Sequence, residues 1–389
     1  MQDAVFFEIL RAALGQPFGV AHEGEHPQDC ATLNSQDCAK NLSPDDCKRL
    51  FMMAKKQSLF GIAYDGVKKM GIPLPRELAL NWSLRAEAIR GYNDQMNSVA
   101  AHLTKLFEGL GRKTAILKGQ ANARLYPNPA ARQPGDIDIW VSGGKAAVLK
   151  LLEEQGLMEE TDVSEIHAHL PKERFGIDVE VHFVPCGCNY NPIADRHMQK
   201  FLRYEIERAE LVPEGFYAPS LRFAMVMQLS HIRRHFFGLG IGFRQLVDYF
   251  VLIQNSTEQD RKAVAQMLAP CGLRNIAGAV MYVLQRVFEL DERLMLCKPD
   301  SNRGEVLLRE VLADGNFGAH ASRAKGSVIM WWLKNRLRIL RLLNFDFGET
   351  LWLLLRYWGQ FAFLIPMRIG ILKRFLSRRR KKALPKNGS

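Results

Sequence analysis

Residues 136–141 alternate polar and apolar side chains, beginning with two aspartates that alternate with two isoleucines, and this alternation limits the folds open to the chain. Successive side chains of a β-strand point to opposite faces, so Asp136 and Asp138 share one face while Ile137 and Ile139 share the other. A strand of this kind buries one face in a core and leaves the other near polar space. The segment therefore predicts a half-buried strand that carries two carboxylates over one face of a small sheet.

Two carboxylates fixed side by side repel each other, and a cation is needed to keep both ionised. Divalent metals that prefer oxygen ligands supply that charge, and Mg²⁺ commonly keeps substrate phosphates among its ligands. An Asp-x-Asp triplet also arises by chance on exposed strands, so its surroundings have to support the interpretation. With that support, Asp136 and Asp138 predict a site for Mg²⁺, with Mn²⁺ as the alternative, and chemistry on a phosphate substrate.

A second alternating segment, residues 177–183, offers a third carboxylate. Asp178, Glu180 and His182 share one of its faces, and apolar side chains share the other. If this strand pairs beside the first, either Asp178 or Glu180 joins the acidic pair. Three acids can hold two metal ions that activate an attacking hydroxyl and stabilise a leaving pyrophosphate, which is the chemistry of nucleotidyl transfer.

The segments around these acids predict a compact unit of mixed secondary structure. The pattern predicts a short strand at 114–117, a turn at Gly119, a helix at about 145–155, and a hairpin formed by strands at 167–170 and 177–184. Helical spacing of apolar residues resumes at about Ala218. The acids are therefore expected inside an α+β domain with helices on both sides.

The flanking regions have helical signals of their own. Ser43, followed by Pro44 and two acids, predicts a helix start. The first fifteen residues predict an amphipathic helix rather than a signal peptide. We expect four regions: a helical region at 1–110, a catalytic domain at 111–215, a helical domain at 216–330, and a basic, aromatic, amphipathic region at 331–389.

Several short motifs resemble a bacterial family of uncharacterised nucleotidyltransferases in the polymerase-β-like superfamily. These motifs are Leu117-Lys118-Gly119, Leu125-Tyr126-Pro127, Arg132, the run GDIDIWV at 135–141, Glu180-Val181-His182, His231, His235 and the run at 240–248. The resemblance covers roughly residues 45–255. It implies an α+β fold, with a polymerase-β-like core of a small mixed sheet with helices, flanked by N- and C-terminal helical regions. In the wider superfamily a glycine-serine pair precedes the acids more closely, whereas Lys118-Gly119 stands in that place here.

The same resemblance implies a site for a nucleoside triphosphate, with ATP as the first candidate, and for an unidentified acceptor. The implied catalytic residues and metal ligands are Asp136, Asp138 and Glu180. Gly119 would begin the helix that faces the triphosphate, and Lys118 and Arg132 would help to hold phosphate. The expected enzyme is therefore a metal-dependent nucleotidyltransferase that releases pyrophosphate.

Two histidine pairs have more ordinary interpretations beside this one. His167 and His169 alternate on a predicted strand, but no cysteine or histidine stands at the usual spacing for zinc, so no zinc site is predicted. His231 and His235 lie one helical turn apart and share a face. For this second pair, structural hydrogen bonding and contact with nucleotide or acceptor are both open.

The chain carries a formal net charge of +12, which favours an anionic partner, and its end is basic and aromatic. Residues 351–372 have the length of a membrane span, but the central Arg356 and Arg368 would be costly in hydrocarbon. An interfacial helix on an anionic membrane surface through 331–382 and a buried helix with a solvated basic tail are both open. Nucleic acid stays open as a partner, although no recognised binding module accompanies the tail.

The seven cysteines include no CxxC pair and predict free thiols in a reducing cytoplasm. We therefore expect a cytoplasmic protein, with peripheral contact at the inner face of the membrane as an option. Two other functions fit parts of the pattern. A glycosyltransferase can hold a nucleotide-sugar diphosphate through Asp-x-Asp and a metal, although the order of elements differs. A non-catalytic nucleotide-binding or membrane-scaffold protein would keep the fold without turnover.

Overall fold

The computed structural model describes residues 2–16, 42–158, 163–187, 189–238, 240–314, 340 and 342–356. Contacts group the chain into two compact units, one of residues 1–189 with 193–326 and one of residues 190–192 with 327–389. The site residues expected from the sequence all lie in the first unit. The division into regions ending at residues 110, 215 and 330 stays a prediction.

In the second unit, residues 342–344 form a 3₁₀ turn and residues 347–356 are helical. The Arg356 guanidinium lies 5.7 Å from the centre of the Tyr190 ring, a cation–π contact. Most of the amphipathic region expected at 331–389 lies outside the described residues. Among the described residues, no helix has the length and apolar character needed to cross a membrane.

Four helices lie before the sheet in the described residues: α1 Gln2–Ala13, α2 Pro44–Lys56, α3 Phe60–Lys69 and α4 Arg76–Gly109. Ser43 caps α2 as predicted, because its hydroxyl accepts the Asp46 amide and the Asp46 carboxylate accepts the Ser43 amide. The amphipathic helix expected at the start of the chain is confirmed as α1. Of the cysteines that the structure describes, Cys47, Cys186, Cys271 and Cys297 are free thiols.

A four-stranded mixed sheet follows α4 in the chain. Its strands are β1 Thr114–Ile116, β2 Ile137–Val141, β3 His167–His169 and β4 Val179–His182, in the order β1-β2-β4-β3. β2 runs parallel to β4, and the two outer strands pair antiparallel to them. This sheet, packed with helices, confirms the predicted α+β fold and the predicted pairing of the two acid-bearing strands.

One face of the sheet belongs to a hydrophobic core. Ile137, Ile139, Val179 and Val181 are almost fully buried there. They pack against α4 and α6, the helix Gly144–Glu154, through Met96, Leu103, Phe107, Val148 and Leu152. Because side chains alternate along a strand, Asp138 and Glu180 project from the opposite face. The core therefore fixes which face of the sheet carries the charged residues.

Short elements connect and extend the sheet. They are α5 Gln120–Ala123, a 3₁₀ turn at Pro129–Ala131, α7 Lys172–Phe175, α8 Pro192–Ile206, and a small antiparallel ladder of β5 Glu210–Leu211 with β6 Tyr217–Ala218. The hairpin predicted from two strands near 167 and 184 is confirmed as the β3–β4 pair. Its turn contains α7, one helical turn long.

Within the described part of the first unit, five further helices follow: α9 Leu221–Phe237, α10 Phe243–Gln254, α11 Glu258–Met267, α12 Arg274–Phe288 and α13 Ser301–Asp314, with a 3₁₀ turn at Glu292–Leu294 between the last two. α10 is buried around nearly its whole circumference, as its apolar sequence requires. Its two charged residues, Arg244 and Asp248, are therefore drawn into the protein interior, where they need partners.

Candidate active site

The two acid-bearing strands bring their carboxylates together on one face of the sheet. Asp138 lies opposite Glu180 in the β2–β4 register, and the Asp138 side chain is only 2% exposed. Asp136 directly precedes β2 and shares the Lys118 ammonium with Asp138. Asp178, in contrast, is 57% exposed and pairs with Lys172 at 2.8 Å. Of the two alternatives left open by the sequence, the geometry therefore places Glu180 beside the acidic pair.

We call Asp136, Asp138 and Glu180 the carboxylate cluster. Lys118 enters this cluster because the Leu117 amide donates to the Asp138 carbonyl, extending the β1–β2 pairing by one residue. The Lys118 Nζ lies 3.0 Å from Asp138 Oδ2 and 3.6 Å from Asp136 Oδ1. Burial alone would lower the pKa of Lys118, but the two aspartates raise it above its ordinary value, so the ammonium stays charged.

Gly119 makes the turn that follows Lys118. Its φ of +64° lies in the region that favours glycine, and a Cβ placed there would approach the Asp136 carbonyl oxygen to 3.5 Å. Gly119 is also the N-cap of the short helix α5. The turn predicted at this position is confirmed, and it sets Lys118 against the strand that carries the acids. Contact of Gly119 with a triphosphate stays a prediction.

His182 orients two members of the carboxylate cluster. Its Nε2 lies 3.0 Å from Asp138 Oδ1 and 3.2 Å from Glu180 Oε2, and its ring is buried. Burial by itself lowers the pKa of His182, but hydrogen bonds to both carboxylates raise it to about 8. The sequence placed His182 on the same strand face as Glu180 without giving it a role in the site. Strand alternation was therefore the signal that could have identified it.

Asp138 and Glu180 stay ionised in spite of their burial. Burial raises the pKa of Asp138, but Lys118 and His182 lower it below its usual value. Burial also raises the pKa of Glu180, but the hydrogen bond from His182 and the charges of His167 and His182 together lower it below its usual value. Ligand atoms of Asp138, Glu180 and His182 lie within 4.8 Å of one another. A compact set of ionised carboxylate oxygens fits a divalent cation that prefers oxygen ligands.

His167 and His169 lie at the edge of the same face. The Nδ1 of His167 is 3.1 Å from Glu180 Oε2, and the Nε2 of His169 is 3.8 Å from Glu180 Oε1. Burial lowers the pKa of His167, although Glu180 acts in the opposite direction. The sequence pattern favoured ordinary hairpin residues at both positions. The pairing of β3 with β4 instead places both histidines beside Glu180 of the carboxylate cluster.

A second buried cluster, which we call the arginine clamp, consists of Tyr126, Arg132, Arg244 and Asp248. Arg132 Nε and Nη2 donate to the two Asp248 carboxylate oxygens at 2.7 and 2.8 Å, and the Tyr126 hydroxyl donates to Asp248 Oδ1 at 2.6 Å. These groups face one another in the protein interior, where a bidentate arginine–carboxylate pair has its most favourable geometry. The predicted phosphate contact of Arg132 stays a prediction, since its guanidinium is bound to Asp248 here.

Arg244 holds the loop that leads into the acids. Its Nη1 donates to the Gln133 carbonyl at 3.0 Å and to the Pro134 carbonyl at 3.3 Å. Its guanidinium also lies against Gly135, the residue before Asp136. Arg244 is therefore a positioning residue for the carboxylate cluster, supplied by a helix that begins more than 100 residues later.

The helix α9 carries the other histidine pair. His231 and His235 share a face, and their ring centroids are 4.3 Å apart. Burial lowers the pKa of both rings, and neighbouring positive charges, including the Lys118 ammonium, also lower it, so that the pKa of His235 falls to about 4. Both rings are therefore neutral at pH 7, within electrostatic range of Lys118.

A comparison with family models finds one described as uncharacterised nucleotidyltransferase, which matches residues 43–289. No functionally curated protein matches the chain. Among solved structures, an antigenic nucleotidyltransferase-like protein from Paracoccidioides brasiliensis aligns at 14% identity with a TM-score of 0.33, over 54% of this chain and 96% of that chain.

Proposed function

This chain belongs to the family of uncharacterised nucleotidyltransferases, and from that premise we propose that it transfers a nucleotidyl group from a nucleoside triphosphate to an acceptor hydroxyl. The observation that carries the proposal is the convergence of Asp136, Asp138 and Glu180 around Lys118 on one face of the sheet. Three acids beside Lys118 and His182 leave an excess of negative charge that divalent cations would balance, and those cations would in turn bind the triphosphate.

Asp136, Asp138 and Glu180 would hold Mg²⁺, or Mn²⁺ as the alternative. When bound, the metal supplies positive charge to the triphosphate and to the leaving pyrophosphate. His182 fixes the orientation of Asp138 and Glu180 by hydrogen bonding to both, so the ligand oxygens are set before the substrate arrives. Arg244 of the arginine clamp holds the loop before Asp136 and thereby limits the movement of Asp136.

Lys118 is the residue best placed to contact phosphate. Its ammonium stays charged and lies beside the acids where the triphosphate would bind. The predicted role of Arg132 in holding phosphate would require its guanidinium to leave Asp248, and we therefore assign the main phosphate contact to Lys118. Gly119 would allow the backbone to come close to the substrate because it has no side chain.

The reaction would be an in-line displacement at the α-phosphorus. The acceptor oxygen forms a bond to the α-phosphorus, the bond from that phosphorus to the bridging α–β oxygen breaks, and pyrophosphate leaves with the bonding electron pair. The hydroxyl proton passes to a carboxylate of the cluster or to water. ATP as the nucleotide, a cytoplasmic location and contact with an anionic membrane surface belong to the same proposal.

The experiment incubates the purified protein with each α-labelled nucleoside triphosphate, Mg²⁺ and a cell extract that contains metabolites and macromolecules. The test variant is Asp136→Ala/Asp138→Ala. The matched control is Asp178→Ala, which removes an exposed acid two positions from Glu180 and outside the cluster. We expect labelled product and pyrophosphate from the wild type and the control, and neither from the test variant.

Full transfer by Asp136→Ala/Asp138→Ala would contradict the proposed site. Release of a nucleoside diphosphate from a nucleotide sugar, with no pyrophosphate from any triphosphate, would support the glycosyltransferase alternative instead. Mg²⁺-dependent triphosphate binding without any product would support a non-catalytic nucleotide-binding protein.

A further inference from the structure

The β3–β4 ladder assembles a square of potential metal ligands at the edge of the sheet. In its register His167 lies opposite His182, and His169 lies opposite Glu180. Ala168, which lies between these two histidines on β3, is fully buried in the core. Because alternate side chains share a face, all four polar side chains stand on the face away from that core.

The separations within this square suit a small metal ion. His167 Nδ1 is 3.1 Å from Glu180 Oε2, and His169 Nε2 is 3.8 Å from Glu180 Oε1. Zinc bonds to nitrogen and oxygen of about 2.0–2.1 Å in tetrahedral geometry separate neighbouring ligand atoms by about 3.3 Å. The two measured distances lie on either side of that value, so small side-chain movements would complete the site.

The hydrogen bonding of His167 also suits a metal ligand. Its Nδ1 is buried and, within the part of the chain that the structure describes, has no hydrogen-bond partner, although a carboxylate oxygen lies 3.1 Å away. This ring nitrogen and the Glu180 carboxylate oxygen therefore lie close together without forming a hydrogen bond. Two ligand atoms of one metal ion are arranged in the same way. The rim of the square is accessible, since the His169 side chain is 35% exposed.

We propose that His167, His169 and Glu180 bind a divalent transition metal of the Zn²⁺ type, beside the Mg²⁺ site of the carboxylate cluster. Two imidazole nitrogens with one carboxylate favour Zn²⁺, Co²⁺ or Ni²⁺, whereas Mg²⁺ prefers oxygen ligands. Three protein ligands leave a coordination position open for water or an anionic ligand. Zinc spacing rules count ligands along the chain, but here the third ligand comes from the neighbouring strand.

The test titrates Co²⁺ into the full chain after removal of metal with a chelator, because Co²⁺ takes zinc sites and its visible absorption reports geometry and ligand type. The test variant is His167→Gln/His169→Gln. The matched control is His102→Gln/His197→Gln, which removes two exposed histidines elsewhere in the chain. We expect one equivalent of tetrahedral-type Co²⁺ in the wild type and control, and at least tenfold weaker binding in the test variant.

Equal Co²⁺ affinity in the wild type and in His167→Gln/His169→Gln would overturn the proposal, as would a sulfur-to-cobalt charge-transfer band that identifies cysteine ligands. If the double variant unfolds, His169→Gln alone replaces it, since this side chain is the more exposed of the pair. Asp136→Asn separates the two proposals: it should keep Co²⁺ binding while losing nucleotidyl transfer. The metal site is thus testable even if no nucleotidyl transfer is found.

Discussion

The carboxylate cluster and the arginine clamp are built from similar residue types, yet their charges are balanced differently. In the clamp, Asp248 accepts hydrogen bonds from Arg132 and Tyr126, and Arg244 donates hydrogen bonds to two backbone carbonyls. In the carboxylate cluster, three acids face Lys118 and His182 among the described residues. A buried ion pair by itself therefore does not mark a functional site. The excess positive charge of the clamp is met by these carbonyls, whereas the carboxylate cluster keeps an excess of negative charge that a bound cation would balance. Such an excess of negative charge is the better indicator of a ligand.

Asp138→Asn tests the functional side of this comparison and has the largest expected effect. Loss of one metal-binding carboxylate should reduce kcat/KM for nucleotidyl transfer by about 1,000-fold. The loss of stability should be smaller than for Asp248→Asn, because Lys118 keeps Asp136 as a partner and weaker repulsion among the remaining acids offsets part of the lost Lys118 and His182 contacts. Transfer assays and urea unfolding of the same preparation measure the two effects. A large loss of stability with normal activity would reverse the assignment of the two clusters.

Asp248→Asn tests the structural side. It leaves the Arg132 guanidinium buried without its carboxylate, and breaking a buried pair in this way costs about 3–5 kcal/mol. Urea unfolding should show this loss in the free energy of unfolding. Lys172, whose partner Asp178 is exposed, provides the control: Asp178→Asn should cost less than about 1 kcal/mol. Equal effects of the two substitutions would remove the distinction between clamp and surface pair.

Lowering the pH tests the buried histidines of α9 through their effect on the free energy of unfolding. Burial lowers the pKa of His235 to about 4, below the value of about 6.5 expected in the unfolded chain. The unfolded state therefore binds more protons below pH 6.5, and stability falls as the pH falls towards 4. Between pH 6.5 and 5 this amounts to about 2 kcal/mol for His235 alone.

Urea midpoints at pH 6.5 and 5 measure this loss. His235→Gln should reduce the pH dependence without abolishing it, because the pKa of His231 is also lowered, whereas His197→Gln, at an exposed position, should leave it unchanged. Asp138, Glu180 and Asp248 have lowered pKa values and contribute little over this range. A pH dependence that is the same in His235→Gln and the wild type would show that His235 is protonated in the folded state.

Tyr126→Phe is the smallest of these changes. It removes one hydrogen bond to Asp248 and leaves both bonds from Arg132 in place, so we expect a loss of about 1 kcal/mol. Thermal unfolding measures it. Nucleotidyl transfer should be retained. A loss as large as that of Asp248→Asn would mean that Tyr126, rather than Arg132, holds the clamp together.

The sequence predicted the sheet and its acidic face well because the signal was local. Alternation at 136–141 and 177–183 separated core side chains from polar ones, and the structure confirms both strands and their pairing. The prediction that the first strand is half-buried is wrong, because all five residues of β2 are buried. The choice between Asp178 and Glu180 could not be made from alternation, since both share a face. It depended on where β4 begins and on the contact of Asp178 with Lys172. The catalytic roles of the acids stay predictions.

The arginine clamp could not be predicted in the same way. Arg132 and Asp248 are 116 residues apart, and the sequence around each residue does not identify the other as its partner. The contact between His169 and Glu180 was not predicted for a related reason. It depends on the register of the two strands and not on distance along the chain. Long-range pairs of this kind follow from packing of whole elements, which a single sequence does not specify.

The hydrogen bonds from Arg244 also have a consequence for the newly made chain. Arg244 follows Gln133 and Pro134, whose carbonyls it binds, by 111 and 110 residues. At a synthesis rate of about 5–20 residues per second, it leaves the ribosome roughly 5–20 s after them. A nascent chain that ends before α10 contains every acid of the site but lacks the side chain that ties their loop. The order of translation therefore delays completion of the site until the helical region has been made.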